Sequence, residues 1–178
     1  MKKQIILLIA ILFSGMIQSQ DSLNMKKIGG WTDNGFGTYY NDVWGYSAGG
    51  REYAILGSNH STHFIDITDS ILKEISSFEG TDLDVTWRDY KVYNNYAYGV
   101  ADGGDNSLQI FDLSDLPNSV SKVYDSNEFT ESTHNIYIDK DRLYLASNKR
   151  GGSSFSLEIL SLADPERPIY LGYIPSAN

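Results

Sequence analysis

The sequence predicts an all-β protein, specifically a β-propeller made of four-stranded blades, of which about three are present. Two observations support this prediction. Hydrophobic and polar residues alternate with a period of two along most of the chain, and no helical periodicity follows the first twenty residues. One segment plan also recurs three times, closing at Asp69, Asp115 and Asp164, which are 46 and 49 residues apart. A spacing of this size is typical of propeller blades.

Each repeat contains the parts of a four-stranded blade. The repeats cover residues 41–69, 88–116 and 134–165. In each, a two-residue turn separates the first two strands, and a polar Gly/Ser/Asn loop precedes the third strand. The predicted turns are Gly49-Gly50, Asn94-Asn95 and Lys140-Asp141. The predicted fourth strands are LKEISSF, SVSKVYD and IYLGYI, so we expect blades at about 41–79, 87–127 and 134–174.

An immunoglobulin-like sandwich is the main alternative fold, because its strands have similar lengths. It would not repeat a four-strand pattern three times, whereas a propeller does. Three blades are too few to close a ring. We therefore expect residues 41–178 to form a partial propeller, an incomplete ring that is the N-terminal fragment of a longer protein.

The first twenty residues predict a signal peptide. Two lysines precede an apolar run from Ile5 to Phe13, and small and polar residues follow it. The run is about half as long as a membrane-spanning helix, and the chain has no cysteine for lipid attachment or disulfide bonds. We expect cleavage near Gln20, a lead-in strand or linker at 21–40, and an extracellular or cell-surface protein without membrane insertion.

The charge of the chain bears on its partners. Removal of Lys2 and Lys3 with the signal peptide changes the formal charge from −9 to −11. A strongly negative protein repels nucleic acid and anionic membrane surfaces. Neither is expected as a partner.

Several short sequence segments resemble those of a known family. YNDVWGY, REYAILG, FIDITD, WRDYKVYNNYAYGV, LQIFDLSDL and HNIYID resemble the choice-of-anchor B family of secreted bacterial proteins, which contain LVIVD-type propeller repeats. The resemblance covers about residues 30–172. It implies a propeller fold and a cell-surface location, but it implies no assigned chemical activity.

The candidate site residues lie on the first strand of each repeat. In a propeller this strand lines the central channel, so polar residues at its start surround one mouth of the channel. Alignment of the three first strands places three polar pairs at equivalent positions. The predicted ligand-binding residues are Asn41, Asp42, Arg88, Asp89, His134 and Asn135.

Two interpretations of these residues remain open. Their side chains either pair with backbone groups at strand ends or contact a ligand. We expect the structural role for Asp89, and a solvent-exposed position for Arg88 and His134. Trp44 and Trp87 are expected to pack between blades. Only an exposed aromatic side chain would indicate a carbohydrate ligand.

Two functions follow from this placement. The first is a secreted or surface binding or scaffold protein that recognises an extracellular protein or glycan. The alternative is a hydrolase or lyase that acts on polysaccharide, with Asp42, Asp89 and His134 as acid and base groups. No catalytic residue is assigned by the sequence, which has no Gly-x-Ser-x-Gly motif.

No cofactor is expected, and calcium is the alternative left open. His60, His63 and His134 provide three histidines, but their spacing does not predict a zinc site. The loop DGGDNS, residues 102–107, resembles a calcium loop in composition only, because it lacks the alternating carboxylates and the terminal glutamate.

Overall fold

The computed structural model of the protein describes residues 25–33, 35 and 37–175. The predicted signal peptide, residues 1–20, lies outside these residues. Within them the chain is all-β, as predicted, with twelve strands in three four-stranded antiparallel sheets and no helix. In particular, the described residues include no helix that is long and apolar enough to cross a membrane.

Each sheet is formed by four strands that are consecutive in the chain. The first sheet contains β1 (Tyr40–Ala48), β2 (Arg51–Ser58), β3 (Ser61–Asp66) and β4 (Lys73–Glu79). The second sheet contains β5 (Arg88–Tyr93), β6 (Tyr96–Ala101), β7 (Leu108–Asp112) and β8 (Ser121–Ser126). The third sheet contains β9 (Ser132–Asp139), β10 (Arg142–Arg150), β11 (Ser153–Ser161) and β12 (Ile169–Pro175).

The turns between the first two strands of each sheet are at the predicted positions. Gly49-Gly50, Asn94-Asn95 and Lys140-Asp141 join β1 to β2, β5 to β6 and β9 to β10. Gly49 and Gly50 both have positive φ, 59° and 76°. Such values suit the two-residue turns whose twist matches that of the strands they join.

The second sheet lies between the other two and is buried on both faces. Its strand β6 has the sequence YAYGVA, in which side chains alternate between the two neighbours. Tyr98 and Val100 pack in a core with Ile136 and Leu145 of the third sheet. On the opposite face, Ala97 packs in a core with residues of the first sheet. The second sheet can lie between the other two because its strands present apolar residues on both faces.

Aromatic residues fill the core between the first and second sheets. Phe64, Phe78 and Phe111 pack against one another with ring centroids 5.1 to 6.0 Å apart. The third sheet has no strand paired with the first sheet, so the three sheets form an open series within the described residues.

Tyr90 of β5 is a wedge between the first two sheets. Its ring lies between Gly57 of β2 and Gly99 of β6, where a Cβ atom would be 3.0 Å and 2.8 Å from ring carbons. Its hydroxyl forms a hydrogen bond with the Thr62 hydroxyl, 2.8 Å away. Two glycines are required because the ring occupies the space that a side chain would take.

Candidate functional site

The predicted site residues lie on three neighbouring strands. β1, β5 and β9 are the first strands of their sheets, and we call them the inner strands. β5 contacts both β1 and β9. The three polar pairs of the sequence therefore come from strands that are next to one another in space, and each pair has different contacts.

Asn41 and Asp42 bind the main chain of the next inner strand. The Asn41 side-chain oxygen accepts a hydrogen bond from the Arg88 amide at 3.1 Å. The Asp42 carboxylate accepts one from the Tyr90 amide at 2.9 Å. Burial, with the negative charge of Asp89, raises the pKa of Asp42, and the Tyr90 amide opposes this rise. Both side chains thus join the first sheet to the second.

Asp89 repeats this contact one sheet later. Its carboxylate accepts a hydrogen bond from the amide of Ile136 on β9 at 2.6 Å. It also lies 2.6 Å from the Lys91 ammonium, which is stacked 4.3 Å from the ring centre of Trp44. The pairs Asp42 with Tyr90 and Asp89 with Ile136 form one repeated contact, which we call the inter-sheet clamp. The structural role expected for Asp89 agrees with these contacts.

Arg88 is buried, although the sequence predicted a solvent-exposed position for it. Only 6% of the residue is exposed, because its side chain extends back towards the first sheet. Its Nε donates a hydrogen bond to the Ser58 carbonyl at 2.6 Å, and Nη2 donates one to the Asn59 carbonyl at 3.5 Å. The guanidinium also packs so closely on Gly80 that a Cβ there would lie 2.6 Å from Nη2. Arg88 therefore satisfies carbonyl groups at the end of β2.

His134 is exposed, as expected, and its partner is a residue that the sequence did not indicate. Its Nδ1 lies 2.6 Å from a carboxylate oxygen of Asp102, with 60% of the His134 side chain and 35% of the Asp102 side chain exposed. Ser132 donates a hydrogen bond to the other carboxylate oxygen of Asp102 at 3.3 Å. This contact lies on the exposed surface of the protein.

The Trp87 main chain lies beside these two residues. The expectation that the Trp87 side chain packs between sheets is wrong. Trp87 is 64% exposed, because it precedes β5 and lies outside both cores. Its carbonyl accepts a hydrogen bond from the Asp102 amide at 2.8 Å. We call Trp87, Asp102 and His134 the exposed rim, because Asp102 contacts the main chain of Trp87 and the side chain of His134. Trp44 is only partly packed, with 37% of its surface exposed.

The acid and base groups of the enzyme alternative do not meet. Within the described residues, the only carboxylate that His134 contacts is that of Asp102. Asp42 and Asp89 instead accept main-chain amides of the neighbouring strands. The geometry therefore brings no titratable donor and acceptor together around an open cleft at the predicted positions.

Three hydrogen-bonded side chains outside the predicted positions have the composition of a catalytic triad. The Ser58 hydroxyl lies 3.1 Å from His63 Nε2, and His63 Nδ1 lies 2.8 Å from Glu74. However, Ser58 is fully buried, and its oxygen accepts the amides of His60 and Ser61 at 3.3 and 3.0 Å. A hydroxyl held in this way stabilises the turn between β2 and β3 and offers no accessible nucleophile.

The three histidines have separate surroundings. His60 contacts the side-chain amide of Asn59, His63 contacts Glu74, and His134 contacts Asp102. The described residues contain no group of three or more potential ligands placed to hold a metal ion. In the loop 102–107, Asn106 donates to the Gly103 carbonyl at 2.6 Å, so this side chain stabilises the loop itself.

Comparison with known proteins adds no identification. No protein-family model matches the chain, and no curated protein matches it.

Proposed function

We propose that the protein is an exported binding protein of the β-propeller type that recognises a glycan through the exposed rim of Trp87, Asp102 and His134. The signal peptide predicted at residues 1–20 and the resemblance to the choice-of-anchor B family support the exported, surface-associated part of the proposal. Three antiparallel four-stranded sheets in series, with their first strands side by side, support the propeller part.

The exposure of Trp87 is the observation that carries the ligand proposal. An indole that is 64% exposed provides an apolar face, on which the C–H surface of a sugar ring packs. The adjacent Asp102 carboxylate accepts hydrogen bonds from sugar hydroxyl groups, and the imidazole of His134 holds that carboxylate in position. The rim thus combines a stacking surface with directional polar groups.

The charge of the protein limits the class of glycan. The chain carries a formal charge of −9, and Asp102 places a carboxylate directly in the rim. Acidic polysaccharides are repelled by such a field. A neutral or amino-sugar oligosaccharide is therefore the ligand class that fits best.

Calorimetric titration with neutral, cationic and acidic oligosaccharides tests the proposal. We expect binding of cello-, manno- or chito-oligosaccharides and none of oligogalacturonate. Trp87→Ala and His134→Ala should weaken binding at least about tenfold, the loss of one well-placed contact, because both side chains lie on the rim.

Tyr173→Ala provides a matched control for these variants. Tyr173 is an exposed aromatic residue, 55% accessible, on the outer strand β12. Its removal should leave binding unchanged. Wild-type affinity in both Trp87→Ala and His134→Ala, or no binding of any oligosaccharide, would exclude the glycan proposal.

A further inference from the structure

One position recurs in all three sheets, near the end of the second strand of each. Val43, Tyr90 and Ile136 are matching residues of the inner strands, because each follows the second member of a polar pair. Their partners on the second strands are Leu56, Gly99 and Leu145. Three residues after these partners lie Asn59, Asp102 and Asn148. The matching position is therefore asparagine in the first and third sheets and aspartate in the second.

The two asparagines hold the segments that precede inner strands. Asn59 and Asn148 are 1% and 0% exposed. Nδ2 of Asn59 donates a hydrogen bond to the Gly37 carbonyl, before β1, at 3.4 Å. Nδ2 of Asn148 donates one to the Phe129 carbonyl, before β9, at 2.8 Å. An amide side chain at this position thus has a structural role that depends on its N–H donor.

Aspartate cannot take over this role in the second sheet. A carboxylate accepts hydrogen bonds but donates none, so the Asp102 side chain has no donor for a carbonyl of the segment before β5. It lies instead 2.6 Å from His134 of the third sheet, on the exposed surface. An exposed pair of this kind adds little to stability. Stability therefore does not explain why the second sheet has aspartate where asparagine serves in the other two.

The Asp102 carboxylate is fixed in orientation and is still accessible. Oδ2 contacts His134 Nδ1, and Oδ1 accepts a hydrogen bond from the Ser132 hydroxyl at 3.3 Å. Ser132 is 4% exposed and accepts the Gly103 amide at 2.9 Å, so it also holds the loop that carries Asp102. A carboxylate has about four acceptor positions. His134 and Ser132 each occupy one of them, and 35% of the Asp102 side chain is exposed to a ligand.

The negative charge of Asp102 makes the exposed rim selective for cations. Within the described part of the chain, its carboxylate pairs with no lysine or arginine, and His134 is charged only when it is protonated. A hydrogen bond between two charged groups is shorter and stronger than one to a neutral hydroxyl group. A cation is also attracted to the face of an indole, and the Trp87 side chain is exposed on the same rim. An ammonium group therefore gains more from this rim than a hydroxyl group does.

We propose that Asp102 is the specificity-determining residue of the exposed rim, and that it selects glycans with free amino groups, such as those built from glucosamine. The ammonium group of the sugar pairs with the carboxylate while the sugar ring packs on Trp87. An asparagine in place of Asp102 could bind a neutral sugar and also hold the segment before β5, so a cationic ligand is what favours aspartate here. This inference rests on the proposed function, because it names the class of sugar that the same rim binds.

Three hexasaccharides with the same β-1,4-linked backbone test the inference, because they differ only at carbon 2 of each sugar. Cellohexaose has a hydroxyl group there, N-acetylchitohexaose has an acetamido group, and the glucosamine hexamer has an amino group. Calorimetric titration of the wild type is carried out at about pH 6, where amino groups carry a proton. The glucosamine hexamer should bind at least about tenfold more tightly than either neutral sugar.

Asp102→Asn should remove this preference. The substitution keeps the shape of the side chain and removes its charge, so the affinity ratio of the glucosamine hexamer to cellohexaose should fall from at least about ten to about one. The ratio is informative because a purely structural defect weakens the binding of all three sugars alike. Asp139→Asn is the matched control, since it changes the net charge equally at an exposed residue at the far end of β9 from His134. It should keep the wild-type ratio.

The salt dependence of wild-type binding is a second measurement, which needs no variant. A rise in NaCl concentration from about 20 to about 300 mM screens an ion pair between protein and sugar. Binding of the glucosamine hexamer should weaken several-fold over this range, and binding of cellohexaose should not change.

The outcomes separate this inference from the glycan proposal. Equal wild-type affinity for the three sugars, a preference that survives in Asp102→Asn, or one that is lost equally in Asp139→Asn would overturn the inference and leave the glycan proposal standing. Absence of binding to all three sugars would overturn both.

Discussion

Asp89→Ala should destabilise the protein strongly, because Asp89 serves two neighbouring groups at once. Its carboxylate accepts the Ile136 amide at 2.6 Å and binds Lys91 at 2.6 Å, and the residue is 6% exposed. A hydrogen bond to a charged group contributes about 1.5–3 kcal/mol. The substitution also leaves Lys91, whose side chain is only 17% exposed, without its carboxylate. The expected loss in the free energy of unfolding is about 3–5 kcal/mol.

Two further substitutions separate the contributions of charge and hydrogen bonding. Asp89→Asn keeps an oxygen that can accept the Ile136 amide and removes only the charge, so it should cost about 1–3 kcal/mol. Asp102→Ala is the matched control, because it removes an equally short contact of a carboxylate, to His134, on an exposed surface. An exposed pair contributes about 0–1 kcal/mol.

Urea unfolding at pH 7, followed by circular dichroism and tryptophan fluorescence, provides the free energies from the midpoint and slope. If Asp89→Ala costs less than about 1 kcal/mol, or no more than Asp102→Ala, the inter-sheet clamp does not hold the sheets together.

Four other substitutions test the packing around Tyr90 and its neighbour Arg88. Burial raises the pKa of Tyr90 to about 12, whereas an unfolded tyrosine titrates near pH 10. The tyrosine therefore loses its proton at lower pH in the unfolded state than in the folded state. The free energy of unfolding should fall by about 2–3 kcal/mol as the pH rises from about 10 to about 12. Urea unfolding at several pH values should show a smaller fall for Tyr90→Phe. Gly57→Ala and Gly99→Ala should each cost about 1–3 kcal/mol by the same assay. The added methyl group meets the Tyr90 ring at both positions, and at Gly57 it also lies 2.6 Å from the Asn41 carbonyl oxygen. Arg88→Ala should cost a similar amount, about 1–3 kcal/mol, because it leaves the Ser58 carbonyl without its buried donor, and an unchanged midpoint would contradict its buried position.

The strand pattern and turns could be predicted from the sequence because their causes are local. Alternation of apolar and polar residues depends only on the geometry of a strand. Two-residue turns such as Gly49-Gly50 depend on backbone conformations that few residues adopt. The threefold sequence repeat then predicts that the strands form sheets of four, and the twelve strands form three such sheets.

The burial of individual site residues could not be predicted in the same way. Trp87 and Arg88 are adjacent in the chain, yet Trp87 is 64% exposed and Arg88 only 6%. Their exposure depends on which sheet each side chain reaches, and this is set by contacts with Ser58 and Asn59, about thirty residues earlier. The Ser58, His63 and Glu74 chain was missed for the same reason, since no local motif joins its members.

The polar residues of the inner strands differ in role because their neighbours differ. Asp42 and Asp89 each face a following sheet, and both bind its main chain. Substitution of either residue must disturb sheet packing, so a loss of ligand binding in such a variant would not identify a ligand contact. His134 and Trp87 lie outside the two cores and are exposed. Variants at these two positions are therefore the ones that separate recognition from stability.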